Sequence, residues 1–140
     1  MRIAVIGASG TMGSRIAKEL QASGASVVPA STSTGVDVIT REGLDARLSG
    51  VDTVVDVVNS GSFGDGDALE FFRRATRNVV EAAKAAGVKH YVALSVMGTD
   101  RLVENDYFRG KLVQENIVRS SGLPYTVVRS AQFFDLWVAS

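Results

Sequence analysis

The stretch RIAVIGASGTMGSRIAKEL, residues 2–20, constrains the fold more than any other part of the chain. The apolar run Ile3, Ala4, Val5, Ile6 ends on Gly7, and a segment with apolar residues at helical spacing begins at Thr11. Gly10 and Gly13 complete a G-x-x-G-x-x-G pattern between the two. In a strand that turns directly into a helix, each glycine answers a separate steric demand. Gly7 permits the tight turn, Gly10 lets backbone approach a bound group, and Gly13 lets the helix pack closely on the strand. The first N–H groups of such a helix have no partner within it and face an anion.

The rest of the chain repeats that plan. Short apolar runs at 2–6, 26–30, 36–39, 53–57, 91–95 and 125–129 alternate with segments of helical period at 11–23, 44–48, 68–86 and 104–121. Several of the short runs are apolar throughout, as parallel strands covered on both faces are. Gly24, Gly50, Gly87 and Gly122 follow the helical segments at the position where helices stop. In the third helix Phe72, Ala75, Val79, Ala82, Ala83 and Ala86 form one apolar stripe with arginines opposite. Together these predict an α/β fold, a doubly wound parallel Rossmann sheet of six strands in the order 3-2-1-4-5-6. In that order the crevice lies at the carboxyl ends of the first and fourth strands. The glycine loop opens into it, where it meets the requirement for holding a dinucleotide pyrophosphate. Ser9 and Thr11 add hydroxyl donors, and Met12 lies between them and Gly13 in the same loop.

Composition narrows the function. At 140 residues the chain is one domain in size, and 46% hydrophobic with 21% charged residues is ordinary for a soluble globular protein. Fifteen basic and fifteen acidic residues cancel, and the cluster Arg73, Arg74 and Arg77 is diluted by Glu70 and Glu81, so a nucleic-acid partner is not expected. There is no cysteine and one histidine, which removes thiol chemistry and leaves zinc unsupported. The N-terminus has neither the apolar length of a signal peptide nor that of a membrane span, so a cytoplasmic protein is expected. Asp65 and Asp67 lack a full ligand set and no metal is expected; Asp67 suits a helix N-cap.

A second pattern is DYFRGK, in which Tyr107 and Lys111 stand four apart and share one face of a helix. Two readings of this spacing stand: a pair facing a bound molecule, or an exposed helix start with Phe108 and Leu112 burying the other face. Ser95 closes the fifth strand twelve residues before Tyr107.

The G-x-x-G-x-x-G loop, GVKHYVALSVMG, DYFRGK and SSGLPYTVVRSAQFF occur in an order that resembles the short-chain dehydrogenase/reductase superfamily, particularly its atypical NmrA-like members. The resemblance covers essentially the whole chain. It implies Tyr107 as acid/base, Lys111 as the ammonium that acidifies the phenol and hydrogen-bonds the nicotinamide ribose, and Ser95 as the group polarising a carbonyl oxygen. It implies Val57 and Asn59 beside the cofactor. The asparagine of the superfamily's proton relay is not at its expected place; Phe71 or Phe72 stands there, and Asn78 lies over a turn later.

After the second strand the chain reads VVPASTSTG, with neither the carboxylate that binds a ribose 2′-OH nor an arginine for a 2′-phosphate. Ser31 and Thr32 offer hydroxyl donors, and the lack of an acid points to NADP, with NAD as the other option. Arg15 has two readings, near the 2′-phosphate or a solvated residue of the first helix. No acidic residue is evident near the adenine, since Gly43 stands where one is expected.

The resemblance also implies a C-terminal region that closes over a small-molecule substrate. The chain ends at FFDLWVAS, just after the sixth strand, so a Rossmann domain spanning 1–140 and truncated at its C-terminus is expected. Phe133, Phe134, Leu136 and Trp137 form an apolar tail suited to a homodimer contact. The functions implied are an oxidoreductase or, as the alternative, a regulator that senses NADP without turnover.

Overall fold

The computed structural model describes the backbone of residues 1–58, 67–96 and 106–130, and the side chains of 1–58, 68–95 and 109–129. The elements in chain order are β1 Arg2–Ile6, α1 Thr11–Ala22, β2 Ser26–Ala30, α2 Leu44–Arg47, β3 Thr53–Asp56, α3 Asp67–Ala85, β4 His90–Val96, α4 Asp106–Arg119 and β5 Tyr125–Ser130. A short 3-10 turn, Thr32–Thr34, follows β2. The five strands form one parallel sheet in the order β2-β1-β3-β4-β5. Gly24, Gly50, Gly87 and Gly122 all take positive φ, between 75° and 98°, closing the segments they were expected to close.

This is the expected arrangement without its outermost strand. Residues 36–39 are not a strand, so the described sheet has five strands and not six. Two groups hold them as a loop. The Asp37 carboxylate accepts hydrogen bonds from Ile39 N and Thr40 N, and the Asn78 side-chain amide of α3 donates to the carbonyls of Val38 and Ile39 at 2.8 and 2.9 Å. The outer edge of β2 is also poor for pairing. Ala30 O accepts from Gly7 N on the β1 side, so its neighbour Pro29 faces outward, has no N–H to offer, and gives its carbonyl to Arg47 Nε at 2.7 Å.

The apolar stripe of α3 packs on one face of the sheet, where Val79, Ala82 and Ala83 meet Ala4, Ile6, Val54 and Ala93, with Leu44 and Leu48 of the α2 region. On the other face Val5, Ala8 and Val57 pack with Ile16, Ala17 and Leu20 of α1. The fourth helix departs from this pattern. Its sheet-facing residues are Lys111, Gln114, Glu115 and Val118, all buried, while Leu112 is half-buried. The helix sits very close to α3: a Cβ on Gly110 would lie 2.5 Å from Phe72 Cδ2 and 3.0 Å from Ala68 O. That approach brings a polar helix face, rather than an apolar one, against the ends of β3, β4 and β5. Among the described residues no helix is long and apolar enough to cross a membrane. Asn59, Asp65 and the tail containing Phe133, Phe134, Leu136 and Trp137 lie outside the described residues, as do the side chains of Asp67, Tyr107 and Phe108.

Candidate functional site

A cavity of about 430 Å³ opens at the carboxyl ends of β1 and β3, where the chain leaves β1 in one direction and resumes at β3 in the other. Its floor is Gly7, Ser9 and Gly10; one wall is Ala30, Ser31 and Thr32, another Val57 and Val58. The loop at 36–39 and Phe71 of α3 complete it.

The glycines differ in what demands them. A Cβ on Gly13 would stand 2.1 Å from Gly7 O and 2.9 Å from Ala8 Cα, so the close seating of α1 on the loop requires a residue without a side chain. Gly10 is in ordinary extended backbone, φ −74°, and a Cβ there would meet only Gly7 O at 3.5 Å, a normal contact. The packing of the described fold does not require glycine at this position, which leaves room for a ligand to approach the backbone. Gly10 is also the N-cap of α1, with no side-chain capping hydrogen bond and no acidic residue in the first turn. A bound anion is the group such an end accepts. Thr11, Met12 and Arg15 belong to the first turns of α1; none lines the cavity, and Arg15 is half-buried and engaged with a neighbour.

On the opposite wall a hydroxyl cluster organises the turn after β2. Ser31 and Ser33 share a hydrogen bond at 2.8 Å, and Thr34 Oγ1 accepts from Ser31 N and donates to Ser31 O. Residues 31–36 contain no charged group. Asp37, Val38, Ile39 and Phe71 are lining residues that the sequence reading did not assign. The signal for Asp37 was a carboxylate inside the apolar run VDVI. Asn78, considered above as a displaced relay residue, is instead committed to holding this wall.

The second group of expected residues lies apart from the cavity, at the junction of β4 with α4. Lys111 is 3% exposed; its Nζ donates to Leu94 O at 2.8 Å and stands 4.8 Å from the centroid of the Phe72 ring. Burial pulls its pKa down from 10.5 to about 8, against the attraction of Asp56 and then Glu115. Ser95 is buried and its hydroxyl donates to the Glu115 carboxylate. Arg129 forks onto the same carboxylate at 2.6 and 3.1 Å and Arg119 approaches at 3.3 Å. Burial raises the Glu115 pKa, but the hydrogen bonds from Arg129 and Ser95 and the two arginine charges outweigh it and hold the carboxylate ionised. The structure therefore brings Ser95 and Lys111 to one cluster, with Tyr107 one turn before Lys111 on the same helix. It adds Asp56, Tyr91, Gln114, Glu115 and Arg129, which the sequence reading missed.

An elongated ligand with an anionic centre fits this layout: apolar and hydroxyl walls at one end, an uncapped helix start in the middle, and a buried ammonium beyond. The comparisons with known proteins agree. The profile of the NAD(P)H-binding family matches residues 7–136. A (4-alkanoyl-5-oxo-2,5-dihydrofuran-3-yl)methyl phosphate reductase of Streptomyces griseus is 34% identical over 144 residues, covering 94% of this chain and 48% of that protein. The photosystem II assembly factor Ycf39 of Cyanophora paradoxa is 25% identical over 154 residues, covering 96% of this chain and 46% of that protein. Among solved structures, the triphenylmethane reductase of a Citrobacter species complexed with NADP(H) superposes with a TM-score of 0.77 at 26% identity, over 99% of this chain and 52% of that one. The chain thus spans about half the length of the curated relatives it matches.

Two predictions follow from the geometry of these residues. Gly10→Ala is expected to leave the thermal melt within a few degrees of the parent while weakening dinucleotide binding at least about tenfold, as backbone approach to the pyrophosphate is blocked. Gly13→Ala is expected to lose stability outright, by about 1–3 kcal/mol or more, because the contact it breaks is with backbone. Calorimetric titration and urea unfolding separate the two.

The cofactor-free chain is expected to gain stability as pH rises from 8 towards 10.5, and Lys111→Met is expected to lose that gain. A lysine whose pKa falls from 10.5 to about 8 on folding binds fewer protons folded than unfolded between those values. The penalty, about 3 kcal/mol at most, is fully present below pH 8 and disappears as pH rises towards 10.5. Urea unfolding should therefore show the parent gaining up to about 3 kcal/mol between pH 8 and 10.5, with a flatter profile in the variant.

Proposed function

The chain belongs to the NAD(P)H-binding family, and on that premise we propose that it carries the cofactor site of an NADP(H)-dependent oxidoreductase of the atypical short-chain type, acting on a small carbonyl or quinone. The observation that carries the reading is Gly10, a glycine the described fold does not need, at the uncapped start of α1 and on the floor of the cavity. Gly7, Ser9 and Gly10, with the first turn of α1 from Thr11 through Gly13, are assigned to the pyrophosphate. Val57 lines the cavity beside them, and Asn59 follows in the same segment. A nicotinamide dinucleotide held there supplies a hydride.

The preference for NADP rests on the turn after β2. Ser31 and Thr32 line the cavity, Ser33 is bonded to Ser31, and no carboxylate stands among residues 31–36 to repel a 2′-phosphate. Arg15 of α1 is assigned to the same phosphate. Solved structures of similar fold hold NADP(H), as in the Citrobacter reductase, and NAD+, as in the Bordetella bronchiseptica enzyme WbmH, so the choice rests on this turn. Tyr107 is assigned the proton transfer at the substrate oxygen, and Lys111 the ammonium that acidifies the phenol and bonds the nicotinamide ribose. Ser95 polarises a carbonyl only by giving up its bond to Glu115, so Tyr107 is the principal donor.

One observation favours a second reading. Ser95 is turned to Glu115 and Lys111 to Leu94 O, an arrangement that suits a protein which binds NADP and reports it to a partner without turnover. One relative, Ycf39, is named as an assembly factor.

Calorimetry is expected to give tighter binding of NADPH than NADH, and Thr32→Asp is expected to move that ratio towards NADH by about tenfold or more; equal affinities that the substitution leaves unmoved overturn the NADP assignment. In the full-length protein, NADPH oxidation with a panel of small carbonyls and quinones is expected to give turnover that Tyr107→Phe lowers at least about a hundredfold, with NADPH affinity retained. Unaffected turnover removes the role of Tyr107. Tight NADPH binding with no turnover on any substrate, and a protein partner whose affinity follows NADPH, establishes the second reading.

A further inference from the structure

Asp56 is a carboxylate with 1% exposure that follows Val54 and Val55 at the end of β3, and neither the cofactor cavity nor the proton transfer uses it. Every contact that fixes it comes from a different part of the site. Its Oδ1 accepts from Val58 N at 3.1 Å, and Val58 is a wall of the cavity. Its Oδ2 accepts from Tyr91 Oη of β4 at 2.6 Å and from Gln114 Nε2 of α4 at 3.4 Å. Gln114 stands three residues after Lys111 on the buried face of that helix. Its amide points its N–H group at Asp56 and leaves Oε1 as the buried side-chain atom without a hydrogen-bond partner among the described residues. An unpartnered buried oxygen costs about 1–3 kcal/mol, so the cluster is organised around the acceptor that Asp56 provides.

Lys111 is a cation that the fold brings within electrostatic reach of that charge. In the β3–β4 register Asp56 lies opposite Ala93, and the Lys111 ammonium bonds the carbonyl of the next residue, Leu94. The groups facing Lys111 are few. From β3 comes Asp56, from its own helix Glu115, from α3 the uncharged Phe72 ring, and from β4 Tyr91, whose hydroxyl proton is given to Asp56. Glu115 is occupied by Arg129 of β5 and by Arg119. Of the two carboxylates, Glu115 is held by arginines, and Asp56 is the stronger attraction on Lys111. A buried charge is tolerated when it is paired and hydrogen-bonded, and is strongly destabilising when its partner is removed.

We infer that Asp56 is a positioning residue for Lys111: the buried counter-charge that keeps the ammonium charged at the crevice and, through Val58 N, ties it to the cavity wall. The inference rests on the assignment of Lys111 to the cofactor. Without the carboxylate, a lysine already lowered by burial loses its proton near neutral pH and with it a donor to the ribose. Asp56 acts through the lysine and touches neither cofactor nor substrate.

The test uses Asp56→Asn, which keeps the size and removes the charge. The chain has only four lysines, Lys18, Lys84, Lys89 and Lys111, so lysine labelled with carbon-13 at Cε gives few NMR signals, and Lys111→Met assigns the one that matters. In the cofactor-free chain the Lys111 signal is expected to titrate near pH 8 and, in Asp56→Asn, at least about one unit lower. A midpoint that does not move overturns the inference. Calorimetry with NADPH then gives a readout that a purely structural role would not move: the affinity of Asp56→Asn is close to the parent at pH 6 and falls about tenfold relative to it at pH 8. An equal loss at both pH values overturns it. The NMR titration needs no cofactor, so a shifted midpoint in a chain that binds no NADPH defeats the functional assignment alone. Should Asp56→Asn fail to fold, adding Lys111→Met is expected to restore folding, since the unbalanced cation is removed; a double variant that stays unfolded overturns the inference.

Discussion

The contact between Gly13 and the carbonyl of Gly7 governs how the rest of the site is built. With a would-be Cβ 2.1 Å from that oxygen, α1 can seat only because residue 13 has no side chain. The seating aims the uncapped N-terminus of α1 into the crevice between β1 and β3. It also brings Ile16, Ala17 and Leu20 onto Val5 and Val57, which fixes the cavity wall from the far side of the sheet. The placement of the uncapped helix start and the small second core are thus consequences of one backbone approach, and Gly10 is left as a glycine that the packing of the described fold does not require.

The other organising constraint is electrostatic. Most helices of a doubly wound sheet bury an apolar stripe, and α3 does so with Phe72, Ala75, Val79, Ala82 and Ala83. By contrast α4 buries Lys111, Gln114 and Glu115, and its neighbours answer each one: Leu94 O and the Phe72 ring for the ammonium, Asp56 for the amide, Arg129 and Ser95 for the carboxylate. Burying charges in this way is weak evidence for stability, since apolar replacements of similar size are often as stable or more so. Retaining a lysine whose pKa has fallen to about 8 makes better sense as a functional cost than as a structural gain.

What was legible in the sequence divides along the same line. Backbone demands and apolar periodicity leave strong marks, so the turn at Gly7, the close packing at Gly13, the four helix-stopping glycines and the α3 stripe were read correctly from VIGASGTMG, from Gly24, Gly50, Gly87 and Gly122, and from the spacing of Phe72, Ala75 and Val79. The strand expected at 36–39 failed because its apolar alternation was taken without its breaker. Pro29 marks β2 as an edge, and Asp37 within VDVI supplies the loop's own caps. The buried face of α4 was illegible for the opposite reason: a helix that buries Lys111, Gln114 and Glu115 has no apolar stripe to find, and the arginines that satisfy it lie elsewhere on α4 and on β5. Asp56 could have been noticed, as a carboxylate inside the apolar run VVDVV, but its partners Tyr91 and Gln114 are 35 and 58 residues away.

The segment Asp56, Val57 and Val58 joins the two halves of the site. Val57 and Val58 line the cavity, and the backbone N–H of Val58 is bound to the same carboxylate that takes Tyr91 and Gln114. A ligand that displaced the wall would lengthen that hydrogen bond, and a change in the charge of Lys111 would alter what Asp56 is balancing. Because interiors are close-packed and buried carboxylates tolerate little misalignment, neither half can rearrange without the other registering it. Three consecutive residues, the last of β3 and the two that follow it, therefore touch both the cavity and the polar cluster around an ammonium on a helix that does not line it.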